Sequence, residues 1–131
     1  MHIVDHMMIE NAYNRKAREW VAEGVLGVVN DSRFHMEFLF GSTPEEAASW
    51  RCSKIEEMGG PIGDVASHCL YVAEFIFNSP VTGLACVYYP KTMPIKTEDG
   101  AYLKFRLASG MTGSVQVSFG SPRGEIGRAH V

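Results

Sequence analysis

An aspartate and a histidine stand four residues apart at Asp64 and His68, immediately after a Gly59-Gly60-Pro61-Ile62-Gly63 turn. On a helix that spacing places both side chains on one face. Histidine titrates near neutral pH, and a neighbouring carboxylate fixes its tautomer and raises its basicity, so the pair suits proton transfer. The same residues also serve a purely structural helix start, where the dipole favours Asp64 and His68 bonds Asp64 or a backbone carbonyl. Trp50 and Arg51 lie upstream. Arg51 fits an anionic or hydroxyl-rich ligand, or else a solvated surface, and Trp50 fits a packing anchor or a sugar platform. His2, Asp5 and His6 are metal-ligand types, but a segment this short makes their grouping incidental. Cys69 adjoins His68, yet neighbours on a helix diverge by about 100°, which argues against a working Cys-His pair.

The elements that must position these residues follow from periodicity. Glu10 to Glu23 reads as a helix with Ala12, Lys16, Trp20 and Ala17, Val21 at helical intervals, stopped by Gly24. Met1 to Val4 reads as a short strand, and Val25 to Phe40 as a strand region. In the latter, Phe34, Met36, Phe38 and Phe40 alternate with Arg33, His35, Glu37 and Leu39. Gly41 to Met58 is a polar connection in which Thr43, Pro44, Glu45 and Glu46 start a short helical turn.

Gly59 to Asn78 holds the principal helix, with Val65, Cys69, Val72 and Ile76 as its core stripe. Asp64, His68, Tyr71 and Phe75 form a second stripe that borders a cleft. Val81 to Tyr89 is strand-like and Lys91 to Gly100 irregular. Ala101 to Ala108 and Thr112 to Phe119 form a hairpin about Ser109-Gly110. After Phe119 no element is assigned, and Gly127 to Val131 read as a short tail. Met7, Met8, Met36 and Met58 are read as fillers of core or interface gaps. The predicted class is α+β: an open, largely antiparallel or mixed β-sheet with two main helices packed on one face.

The 131 residues suit one domain spanning 1–131. A hydrophobic content of 46%, a charged content of 21% and a net charge of -3 describe a globular protein without a basic face for nucleic acid. No apolar run reaches a membrane span, and the N-terminus lacks a signal-peptide pattern. Cys52, Cys69 and Cys86 cannot all pair and lack metal-hook spacing, which points to reduced thiols in a cytoplasmic protein.

Trp50-Arg51 followed by Gly59-Gly60-x-x-x-Asp64-x-x-x-His68 resembles the substrate domain of the glucose–fructose oxidoreductase/inositol dehydrogenase (Gfo/Idh/MocA) family. Tyr13 through Arg18 into Glu23-Gly24-Val25-Leu26-Gly27-Val28 is similar to that family's first substrate-domain helix and its exit. Leu107 through Ser114 is similar to its sheet hairpin. The likeness runs from about Ala12 to about Gly124. It implies Asp64 and His68 at the active site, with Trp50, Arg51 and Tyr71 beside a sugar- or polyol-like substrate.

Family enzymes also carry a Rossmann domain that binds NAD(P), and a lysine in a Glu-Lys-Pro motif. This chain has neither that tripeptide nor a Gly-x-Gly-x-x-Gly after a strand. It reads as a truncated or free-standing substrate domain that binds no cofactor alone and is inactive alone. The expected partner is a second copy meeting it through the open sheet. The alternative is a component of an NAD(P)-dependent sugar or polyol dehydrogenase, completed by a separate Rossmann-domain protein. A small binding protein for a polyol or sugar-like ligand is the third reading.

Overall fold

The computed structural model describes residues 6–126. Residues 1–5, including the expected strand Met1 to Val4 and the candidates His2 and Asp5, lie outside them. The fold is α+β. A five-stranded sheet is built from β1 (Asp31–Leu39), β2 (Val81–Tyr88), β3 (Gly100–Leu107), β4 (Thr112–Ser118) and β5 (Gly120–Ile126), in the order β2-β3-β4-β1-β5. Its pairs are antiparallel except β1 with β4, which run parallel.

Alternation along β3 decides which face is buried. Ala101, Leu103, Phe105 and Leu107 are buried, whereas Lys104 and Arg106 are exposed. Val115 and Val117 of β4 continue the apolar face, and Phe34, Met36 and Phe38 of β1 pack against it. Two longer helices cover that face: α1 (Ala12–Ala22) and α4 (Ser67–Phe77), which pack on each other. The expected stripe is buried along α4 and the helical turn before it, with Val65, Cys69, Val72 and Ile76 each at most 9% exposed. Val65, Cys69 and Ala73 share the core cluster with the buried residues of β3 and β4, and burial at about 25 cal/mol per Å² of apolar surface withdrawn from water seats this helical segment on the sheet.

Local signals place the ends. The Asn11 carboxamide accepts from Tyr13 N at 2.8 Å, so α1 begins at Ala12, two residues later than expected. Thr43 caps α2 (Pro44–Ala48) by accepting from Glu46 N at 3.2 Å. α3 (Trp50–Ser53) follows, and Asn78 closes α4 in the left-handed conformation. The β3–β4 turn runs through Ser109 and Gly110 as expected, with Leu107 N donating to Met111 O at 2.8 Å.

Three expectations need correction, and one strand was not foreseen. The strand expected from Val25 begins only at Asp31, because Gly24 and Gly27 both take positive φ and hold the chain in a turn. The single helix expected after Gly59 is instead one turn of π-helix, Ile62–Ala66, leading into α4. An unforeseen strand, β5, follows Phe119 and pairs with the outer side of β1, an edge position where its Pro122 is tolerated. Met7 and Met58 are 66% and 61% exposed and fill no core gap.

The irregular segment between β2 and β3 is fastened from within. The buried Asp99 carboxylate accepts from Thr92 N at 2.7 Å, Met93 N at 2.8 Å and the Thr92 hydroxyl at 3.2 Å. The Cys52 carbonyl accepts from Lys96 N and Thr97 N at 3.0 and 3.1 Å, tying this segment to α3. Glu98 then reaches the turn before α4 and accepts from Ile62 N at 3.1 Å.

That turn tolerates no side chain at its first glycine. A Cβ on Gly59 would lie 2.5 Å from Trp50 O and 2.6 Å from Lys54 O, both backbone atoms that cannot step aside. Gly59→Ala is therefore expected to destabilise the fold by about 3 kcal/mol in urea unfolding. A loss under about 1 kcal/mol would show that the turn is not held against α3.

Candidate functional site

The π turn and the first turn of α4 carry Asp64 and His68, as their spacing requires, and both line one open cleft of about 370 Å³. Ser67 and Gly63 line the same side, and Trp50 and Met58 form its apolar wall. The seventh lining residue is His6, from the segment ahead of α1. Single-turn π segments recur at functional sites because they re-aim side chains. Here the π turn sets Asp64 against α3.

The Asp64 carboxylate does not hold the His68 ring. Arg51 Nε donates to Asp64 Oδ2 at 3.0 Å, and no hydrogen bond joins Asp64 to His68 among the described residues. The Arg51 guanidinium also lies 4.8 Å from the Trp50 ring and 6.0 Å from the Phe40 ring. With the Asp64 side chain 16% exposed and that of Arg51 44%, the pair is worth about 1 kcal/mol or less. Its consequence is geometric: one carboxylate oxygen is committed to Arg51. The other is left for a ligand.

His68 is held by rings instead. The His6 ring meets it edge-on, with centroids 5.3 Å apart at 82°, and stacks on Tyr71 at 4.2 Å and 10°. Nδ1 of His68 and Nδ1 of His6 are each buried without a hydrogen-bond partner. Ser67 donates its hydroxyl to Gly63 O at 2.8 Å and keeps its lone pairs as acceptors.

The five residues singled out from sequence therefore divide. Asp64, His68 and Trp50 line the cleft, Arg51 stands behind Asp64, and Tyr71 lies beneath His6. Phe75, from the same stripe, sits under the Arg18 guanidinium at 4.6 Å. His6 and Ser67 were missed as lining residues. No local pattern marks His6, which reaches the cleft because the turn Met7–Glu10 and α1 pack against α4. Ser67 follows Asp64 by three positions, a spacing that shares a helix face, and was legible from that.

Residues 14–131 match the family described as the GFO/IDH/MocA C-terminal domain. This chain belongs to that family. Among solved structures, this GFO/IDH/MocA C-terminal domain is similar to an NAD-binding oxidoreductase from Klebsiella pneumoniae. The TM-score is 0.77 at 23% identity, over 94% of this chain and 35% of that one. It is also similar to an inositol dehydrogenase homolog from Azotobacter vinelandii complexed with NADH and myo-inositol. There the TM-score is 0.72 at 26% identity, over 92% and 31% of the two chains. An aldose-aldose oxidoreductase from Caulobacter crescentus complexed with glycerol gives 0.73 at 19% identity, over 87% and 34%. The chain thus spans about a third of the length of each. No curated protein sequence matches it.

Among the described residues, no group of three or more His, Cys, Asp or Glu side chains can hold a metal ion in this domain. No helix among them is long and apolar enough to cross a membrane. Cys69 is no partner for its neighbour His68. It is buried, and burial pushes its thiol up from 9.0 to about 12.

Only thiolate attacks a disulfide reagent, so at about pH 8 we expect Cys86, which is exposed, to react and Cys52 and Cys69 to stay silent until unfolding. Rapid reaction of more than one thiol in the native protein would contradict the buried placements. The sign of the pH effect follows from the same burial. The native state keeps the Cys69 proton that the unfolded chain releases, so stability falls as pH rises through the window from 9.0 to about 12.

Proposed function

We propose that this domain is the substrate half of an NAD(P)-dependent oxidoreductase acting on a sugar- or polyol-like alcohol, and that it has no activity alone. The observation that carries this reading is the convergence of Asp64, Ser67, His68 and His6 on one open cleft with an apolar wall. Such a wall with a few directed polar groups suits a small hydroxylated ligand. The NADH with myo-inositol and the glycerol bound to two similar structures support the same ligand class.

Among the described residues, no glycine-rich turn leads from a strand into a helix N-terminus, the cradle that a dinucleotide pyrophosphate needs. A dinucleotide-binding unit outside these residues supplies the hydride acceptor. This domain's own side chains handle the proton: His68 accepts it from the ligand hydroxyl as the carbinol carbon gives up its hydride and becomes a carbonyl. The free oxygen of Asp64 and the Ser67 hydroxyl hold neighbouring parts of the ligand, while Trp50 and Met58 limit water.

The sheet face bearing Lys104, Arg106, Tyr102 and Gln116 is the surface we assign to self-association, continued by the exposed Val87 of the edge strand β2, which pairs with Tyr102. Sedimentation of the purified chain tests it, and a strict monomer at high concentration refutes it. For the activity, the chain is assembled with the dinucleotide-binding domain of a family enzyme, and NADH formation is followed over a panel of polyols and sugars. Turnover in the assembly and none in the separate chain is expected. Turnover by the chain alone, or none in a well-formed assembly, would overturn the reading.

A further inference from the structure

Ile62 is the residue on which the π turn hangs. Its carbonyl accepts from Ser67 N, five positions on, the bond that makes this turn π and not α. Its N–H belongs to the first turn of the helical segment, where intrahelical partners are lacking. It donates instead to Glu98 Oε1 at 3.1 Å. Gly60 makes room for that carboxylate: it holds φ at +89°, and a Cβ there would collide with both Glu98 oxygens. The two glycines ahead of the site thus serve different neighbours, Gly59 the backbone of α3 and Gly60 the Glu98 side chain.

Glu98 stands on a fixed base. The Asp99 carboxylate beside it holds Thr92 N and Met93 N, and the Asp99 carbonyl accepts from Phe119 N at 2.8 Å. On the other side, Thr97 is buried, and Lys96 N and Thr97 N both donate to Cys52 O of α3. Three consecutive residues therefore bind both elements of the Arg51–Asp64 pair. Lys96 and Thr97 hold the helix that carries Arg51, and Glu98 holds the turn that carries Asp64. A π turn winds more slowly than an α-helix, since each of its bonds spans one more residue. Tightening it to α would turn Asp64 about the axis relative to His68 and out of line with Arg51.

We propose that Glu98 is a positioning residue of the proton-transfer site, its bond to Ile62 N holding the π turn open so that Asp64 stays on Arg51 and in register with His68. The inference rests on the reading above and adds to it a residue outside the cleft. Such geometry carries kinetic weight, because a misplacement of about 1 Å costs up to roughly a hundredfold in rate.

The test is NMR of the full chain, read at the Arg51 Nε–H, the His68 imidazole and the Ile62 amide, in Glu98→Ala and Glu98→Gln. Alanine removes the acceptor, whereas glutamine keeps a carbonyl oxygen at the same reach. Glu98→Ala is expected to move the Arg51 and His68 signals and to speed Ile62 amide exchange by about fivefold to tenfold, the range one hydrogen bond provides. Glu98→Gln should leave all three near wild type. A mere tether would lower the urea midpoint and leave the native signals in place. Should Glu98→Ala not fold, Glu98→Asp, which draws the acceptor back by one methylene, carries the same expectations. In the assembled oxidoreductase, Glu98→Ala should lower kcat by about tenfold to a hundredfold with little change in KM, and Glu98→Gln should restore it. If the alanine variant leaves the Arg51 and His68 signals unmoved, or if glutamine shifts them as far, the role of Glu98 fails and the polyol reading survives. If the wild-type assembly shows no turnover, the polyol reading fails, and the NMR comparison still decides whether Glu98 holds Asp64 in place.

Discussion

Replacing His68 with glutamine is expected to lower kcat of the assembled oxidoreductase by a factor of about 10²–10⁴, the usual contribution of a positioned general base. KM for the polyol should change far less. Glutamine keeps a polar group at the same wall and can still hold a hydroxyl, but it cannot accept the proton at neutral pH. The loss therefore falls on the transition state and not on ground-state binding, which is what a selective fall in kcat reports. Asp64→Asn should cost less, because Arg51 already occupies one oxygen of that carboxylate and the ligand meets only the other. An equal rise in KM with kcat preserved in His68→Gln would reassign His68 to binding. Unchanged kinetics would remove it from the site altogether.

Phe119→Ala is expected to lower the unfolding free energy by about 3–5 kcal/mol in urea denaturation, the range for truncating a fully buried aromatic. Phe119 has no exposed surface, and its ring lies 5.5 Å from that of Phe38 and 5.7 Å from that of Phe40. Its backbone also joins distant segments: its N–H donates to Asp99 O at 2.8 Å, and its carbonyl accepts from Phe40 N at 2.9 Å. Alanine preserves those two bonds but leaves a void between β4 and β1 that the surrounding backbone cannot close. Phe119→Leu fills most of it and should cost much less. If the alanine variant lost under about 1.5 kcal/mol, the aromatic cluster would not be what holds the parallel pair together.

Much of the local architecture could be read without coordinates because it rests on short-range chemistry. The stripe Val65, Cys69, Val72 and Ile76 encodes one buried face of α4, and the structure buries it. Alternation from Tyr102 to Leu107 encodes which side of β3 meets the helices. Thr43 and Gly110 mark a helix start and a turn through bonds to residues three positions away. The Asp64/His68 spacing was legible for the same reason, since one helical turn brings the two to one cleft.

Signals failed where the stabilising partner is remote. Residues 120–126 contain two glycines and a proline, a poor strand by propensity, and they become β5 only because β1 offers an unpaired edge. Nothing in the segment at Val25 announced that two glycines with positive φ would delay β1. The π turn has no periodic signature. It coincides with a site where Glu98, 36 residues away, binds Ile62 N.

By itself, then, the sequence determined the helical stripes, the hairpin, the Thr43 cap and the placing of Asp64 and His68 on one side of a helical segment, since each depends on contacts within a turn or two of chain. Tertiary structure alone decided the strand order and the parallel pairing of β1 with β4. It also decided the capture of Asp64 by Arg51 across 13 positions and the arrival of His6 beside His68. The physical reason is that loop closure carries no local residue code: packing of the whole core selects which distant groups meet.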